Sequence, residues 1–123
     1  MKLLQFSSCL FSTISIHAYY KQNHFYHHLF LLITMLSILN HQEESITIKT
    51  IDIFIAHYTY FQINISDTPI VIRKKPLMII PTVFIPFFYW CEFIYPFYAI
   101  EIHFILHIAM IITLHSYLYL IEN

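Results

Sequence analysis

LMIIPTVFIPFFYWCEFIYPFYAIEIHFILHIAMIITLHSYLYLI, residues 77–121, is the stretch on which the fold turns. Its only formally charged residues are Glu92 and Glu101. A membrane-spanning helix needs about 20 consecutive apolar residues. Two segments of that length can be cut here, 77–96 and 102–121, with Phe97 to Glu101 between them as a helix-hairpin connection. Five residues is within the usual range for joining two helices, about 2–8. The second segment has no Asp, Glu, Lys, Arg or Pro. The first contains Pro81 and Pro86, which kink a helix but are tolerated in membrane segments. Arg73-Lys74-Lys75 stands just before it and predicts a cytoplasmic start, because basic residues are held on that side. The N-terminal region and the chain end would then also be cytoplasmic.

Upstream of Arg73-Lys74-Lys75-Pro76 the pattern is mixed, which divides the chain into residues 1–76 and an apolar region 77–123. Residues 1–18 loosely resemble a secretory signal: Lys2 opens them, but Gln5, Ser7, Ser8, Ser12, Thr13 and Ser15 interrupt the apolar part. The run Leu29–Leu39 is too short to span a bilayer and predicts an interfacial or buried helix. Residues 40–45, NHQEES, predict a polar loop. Within 46–65 the period changes to two. Ile51, Ile53 and Ile55 would share one strand face, as would Phe61, Ile63 and Ile65, with Ala56-His57 between. That dipeptide is a poor hairpin turn, and two strands alone are marginal. The segment therefore reads as β-prone, disordered or aggregation-prone. Ser66-Asp67-Thr68-Pro69 is the best turn. The expectation is a mostly α chain, if folded, with one or two transmembrane helices and no confident globular fold.

The composition carries a second message. The chain has no glycine in 123 residues. At the usual frequency of about 7%, that occurs about once in ten thousand such chains. Gly, Ala, Val, Asp and Glu, whose codons all begin with G, number 0, 4, 2, 2 and 5. The excess lies in Ile, Leu, Phe, Tyr and His, while Lys and Asn, at 5 and 4, are not raised. An AT-rich genome alone would raise both. The bias is therefore T-rich and purine-poor, as in a frame read antisense to an ordinary Lys/Glu/Asn-rich gene. Membrane helices use Gly and Ala freely, so hydrophobicity does not account for the depletion. The composition resembles that of dubious open reading frames and predicts no selected function. The alternative is a small integral membrane protein acting as an accessory or interaction subunit.

Motifs for chemistry are sparse. The net charge of −1 and the single basic cluster at 73–75 give no footprint for nucleic acid. Phosphate loops need glycine. Cys9 and Cys91 allow at most one bridge. No nucleophile motif is present, no enzymatic activity is expected, and the one expected partner is the lipid bilayer. Glu43-Glu44 reads as a solvated pair, and Asn64-Ile65-Ser66 matches the glycosylation tripeptide. Among nine histidines, His24/His28 and His103/His107 are spaced i, i+4 and share a helix face. Such a pair is half of a zinc or copper site. His103 and His107 are the metal candidates, with Glu101 and His115 as neighbours, and no cofactor is expected because no HExxH or Cys/His cluster completes the set.

Overall fold

In a computed structural model the described residues are 2–42 and 45–122, and all of their regular structure is helical. The helices are α1 (Lys2–Cys9), α2 (Phe11–Tyr20), α3 (His24–Gln42), α4 (Ile46–Ser66), α5 (Thr68–Lys74), α6 (Ile79–Ile94) and α7 (Ala99–Glu122). Single 3₁₀ turns, Pro76–Met78 and Pro96–Tyr98, precede α6 and α7. Leu10 keeps right-handed helical dihedrals, so α1 and α2 form one slightly broken rod.

Side-chain pairs fix the directions. Ser7 meets His107 and Thr13 meets His115, so the α1–α2 rod runs parallel to α7. Ser8 meets Ser37 and Ser15 meets His27, so α3 runs antiparallel to the rod. Asn40–Asp52 and Tyr26–Asp67 make α4 antiparallel to α3. Glu92–His103 and Thr82–Tyr117 close α6 and α7 into a hairpin. The result is an up–down bundle in which α7 contacts α1, α2, α5 and α6, and α3 joins the rod to α4.

The core is small. Phe11, Ile14, Ala18, Tyr26, Phe30, Val71, Tyr117 and Leu118 are almost completely buried between the rod, α3, α5 and α7. Burying each of the larger apolar side chains contributes about 1.5–3 kcal/mol. Around this core the usual partition is inverted. Ser7, Ser8, Ser15, Thr34, Ser37, Thr59, His107 and Thr113 are buried, whereas Phe84, Phe87, Trp90, Phe93 and Ile94 on α6 are exposed. Helix α6 has no fully buried residue at all.

The expected β-prone segment at 46–65 is corrected: it is the helix α4, and no strand occurs among the described residues. The period-two reading hid a helical one. Ile48, Asp52, Ile55, Thr59 and Ile63 are the inward positions, spaced 4, 3, 4 and 4. A β-branched residue costs only up to about 0.7 kcal/mol in a helix relative to alanine. A helix satisfies its backbone groups within the segment, whereas a hairpin without a third strand does not. Ser45 caps the start, its hydroxyl accepting from Ile48 N–H at 3.4 Å. Thr50 and Thr59 donate back to the carbonyls of Ile46 and Ile55.

Other expectations shift less. The loop expected over 40–45 is shorter, because Asn40, His41 and Gln42 complete α3; Glu43 and Glu44 lie outside the described residues. The turn at 66–69 is a one-residue break at Asp67, with Pro69 in the first turn of α5. The connection expected at 97–101 sits at Tyr95–Tyr98. Two helical stretches are long and apolar enough to cross a membrane, Pro76–Ile94 and Pro96–Ile121, with mean hydropathy 1.8 and 1.9.

The chain meets its lack of glycine at one point. Between α2 and α3, Asn23 N–H bonds to Ala18 C=O at 2.9 Å and Gln22 N–H to Tyr19 C=O at 3.0 Å. This is a Schellman cap, whose left-handed position is normally glycine. Gln22 occupies it with φ 58°, the one positive φ among the described residues. Asn23, the next residue, caps α3 by accepting from Tyr26 N–H at 3.2 Å. A side chain there costs about 1–2 kcal/mol, partly offset by the greater freedom of glycine in the unfolded chain, about 0.4–1 kcal/mol. Gln22→Gly is expected to stabilise the bundle by about 0.5–1 kcal/mol, read as a raised Tm. Helical α4 also separates two isoleucines that a strand would treat alike. Ile63→Ala is expected to cost about 2–4 kcal/mol and Ile65→Ala under about 0.5 kcal/mol, measured by denaturant unfolding.

Candidate metal centre

The two candidate histidines come together with a third. His41 lies in the last turn of α3, while His103 and His107 lie one turn apart on α7. One nitrogen from each lies within 4.8 Å of the others. The ring centroids are 4.4 Å apart for His103–His107, 5.2 Å for His41–His103 and 5.7 Å for His41–His107. The α3–rod–α7 packing makes this junction, since Ser8–Ser37 and Ser7–His107 align the same ends of three helices.

Hydrogen bonds set which nitrogens are free. Glu92 Oε1 lies 2.6 Å from His103 Nδ1. A carboxylate accepts, so His103 Nδ1 carries the proton and Nε2 keeps its lone pair. Ser7 Oγ donates to Leu4 C=O at 3.0 Å and lies 2.7 Å from His107 Nδ1. With its one proton committed to Leu4 C=O, Ser7 accepts from His107 Nδ1–H, the arrangement in which His107 Nε2 also keeps its lone pair. Phe11 packs edge-on against the His107 ring at 5.1 Å. His41 Nε2 is buried with no hydrogen-bond partner. Burial holds His41 down at about 4, so its ring is neutral at pH 7. Asp52, held above the usual carboxylate range by burial and bonded by Asn40 at 2.9 Å, stands nearby on α4.

The other candidates are elsewhere. Glu101 is exposed in the first turn of α7, and Glu92 takes the place expected of it. His115 is two turns beyond His107 and stacks on His17, with ring centroids 5.0 Å apart. Thr13 Oγ1 donates to Leu10 C=O at 2.6 Å, so it accepts from His115 Nε2–H at 2.8 Å. His115 Nδ1 is then an acceptor, and His17 Nδ1–H donates to it at 2.8 Å. His24 and His28 stack on the exposed face of α3. Cys9 and Cys91 are free thiols. Asn64 is inside α4, its Oδ1 accepting from Thr68 Oγ1 at 2.8 Å.

Sequence reasoning missed His41, Glu92 and Ser7. Only Glu92 had a local signal: folding the hairpin about Tyr95–Tyr98 sets it opposite His103. The chain matches no protein-family model, no curated protein and no solved structure.

The tautomers are a direct test of this geometry. Imidazole nitrogen-15 shifts are expected to report Nδ1–H for His103 and His107 and Nε2–H for His115. Ser7→Ala is expected to remove the preference at His107 and leave the other two unchanged.

Proposed function

We propose that this chain, wherever it is translated, is a small helical integral membrane protein. In this reading the α6–α7 hairpin crosses the bilayer, and the remaining helices cover the side of α7 that α6 leaves open. The observation that carries it is the inverted partition of the bundle. A core helix of a soluble protein passes the same length and hydropathy test, but it is mostly buried. Here only 6% of the apolar window in the first stretch is buried, and 28% in the second. Trp90, Phe93 and Phe87 are 67%, 71% and 60% exposed. Water does not tolerate so continuous an apolar face on a monomer, whereas hydrocarbon does. Interhelical hydroxyl and imidazole contacts are the usual glue of helices in lipid, where burying apolar area gives no advantage.

Charge supports an orientation. Lys21, Arg73, Lys74 and Lys75 gather at one end of the bundle, where Lys21 sits over the Tyr119 ring and Lys74 donates to Leu120 C=O at 2.6 Å. Asp52, Glu92 and Glu101 lie at the other end with two lysines, Lys2 and Lys49. The basic end would face the cytoplasm. An accessory or interaction role is the activity this design suits, with lipid as its partner.

Composition favours a second reading, that the frame has no selected function. The missing glycine and the depletion of every residue whose codons all start with G follow a nucleotide bias, not a structural need. The two readings separate at the nucleotide level. An unselected frame gathers stop codons across related genomes while codons on the opposite strand are preserved. A functional membrane protein keeps its own frame open.

For the membrane reading, alkaline carbonate extraction of cells expressing the chain is expected to leave it in the membrane pellet. Release into the supernatant would reject the spans.

A further inference from the structure

We propose that His41, His103 and His107 bind one Zn2+ ion through their Nε2 atoms, with a fourth position left for water or an anion. The inference rests on the histidine geometry and holds whether or not α6 and α7 enter a bilayer.

Four observations converge on it. Three imidazoles from two helices bring a nitrogen each within 4.8 Å of one another. Zinc–nitrogen bonds of about 2.0–2.1 Å in tetrahedral geometry set nitrogens about 3.4 Å apart. Nitrogens of the three rings thus stand within about 1.4 Å of that spacing, and ring rotation, with His41 in the last turn of α3, would turn the Nε2 atoms onto one ion. Next, His103 and His107 both spend Nδ1–H on a partner, Glu92 and Ser7. Metal-binding histidines are held this way: the outer bond fixes the tautomer and raises the basicity of the ligating nitrogen. The Glu92–His103 contact has the carboxylate–histidine form of such sites. Third, the His41 Nε2 has no hydrogen bond although it is buried. A buried unsatisfied polar atom costs about 1–3 kcal/mol, and a metal ion is a partner that removes the cost. Last, the set is all nitrogen. Imidazoles suit zinc and copper, while calcium and magnesium require oxygen ligands. Three histidines with an open fourth position is the ligand count of zinc sites that also hold a solvent molecule.

The site also explains a feature of the packing. His41 and the His103/His107 pair are 62 residues apart in the chain at their nearest, and one ion would pin the end of α3 to the start of α7.

The full chain in detergent, dialysed against Zn2+ and measured by metal analysis, is expected to bind one equivalent. Replacement by Co2+ is expected to give the intense visible bands of four-coordinate nitrogen ligation. His103→Ala, at a partly exposed position, is expected to weaken binding at least 100-fold. Glu92→Gln keeps the shape and is expected to weaken it about 10–100-fold. His24→Ala with His28→Ala removes the exposed pair and is expected to change nothing. Failure of the unaltered chain to bind Zn2+, or a six-coordinate Co2+ spectrum, would overturn the proposal without recourse to any variant. Loss of binding with the His24/His28 pair, or full binding in the His103 variant, would assign the metal to surface histidines instead.

Discussion

The bundle depends on a buried seam of hydroxyls and imidazoles along the α1–α2 rod. Ser7, Ser8 and Thr13 each donate to a carbonyl three or four residues back, Leu4 or Leu10. A hydroxyl has one proton, so each is left as an acceptor facing a neighbouring helix. Ser7 accepts from His107, Thr13 from His115 and Ser8 from Ser37. Ser15 donates across to His27 C=O at 2.8 Å and accepts from its ring. One local habit of serine and threonine in helices thereby fixes two histidine tautomers and the register of three helices. Each such bond is worth only about 0.5–1.5 kcal/mol net. Their weight lies in the alternative, since a slipped register leaves the buried His107 ring unpaired at about 1–3 kcal/mol and strips the half-buried His115 and His27 rings of their partners.

The same seam makes sense of the exterior. If the large apolar side chains point outward, they cannot specify how the helices meet. Polar pairs must do so, and they do it at positions where a soluble bundle places leucine. The basic end repeats the logic: Tyr26 O–H donates to Asp67 at 2.6 Å, and burial together with that carboxylate keeps the phenol un-ionised. Tyr117 O–H meets Thr68 and Thr82, tying α5 and α6 to α7.

What could be read from the sequence was local. The two apolar stretches, the helix around Leu29–Leu39 and the breaks near Asp67, Pro76 and Pro96 all come from length, hydropathy and proline, which act within a few residues. Helix α4 was misread because Ile51, Ile53 and Ile55 satisfy a period of two, while the decisive inward set, Ile48, Asp52, Ile55, Thr59 and Ile63, includes polar members that hydropathy discounts. The i, i+4 spacing marked His103 and His107. It could not supply His41 or Ser7, whose arrival depends on the rod and α3 both meeting α7. Both stand more than 60 residues before His103 in the chain, beyond the reach of a local signal.

The two functional readings draw on one cause. Codons with T in the second position specify Phe, Leu, Ile, Met and Val, so a T-rich frame is translated into long apolar helices whether or not selection acts on it. Serine, tyrosine and histidine are common in the same frame, and scattered hydroxyl–imidazole contacts follow from their abundance. Even the glycine gap is structurally cheap, because an up–down bundle demanded a left-handed residue only at Gln22 among the described positions. Apolar spans and polar contacts therefore weigh little between the readings. A convergent site weighs more. Bias supplies histidines, but it also removes glutamate, which numbers 5 in 123 residues. That one of these, Glu92, lies 2.6 Å from the His103 nitrogen that a zinc site requires to be protonated is a coincidence of position, and composition does not predict position. The metal centre is thus the feature on which selection and chance differ most. Metal binding by itself would show chemistry, and preservation of His41, Glu92, His103 and His107 as a set would show function.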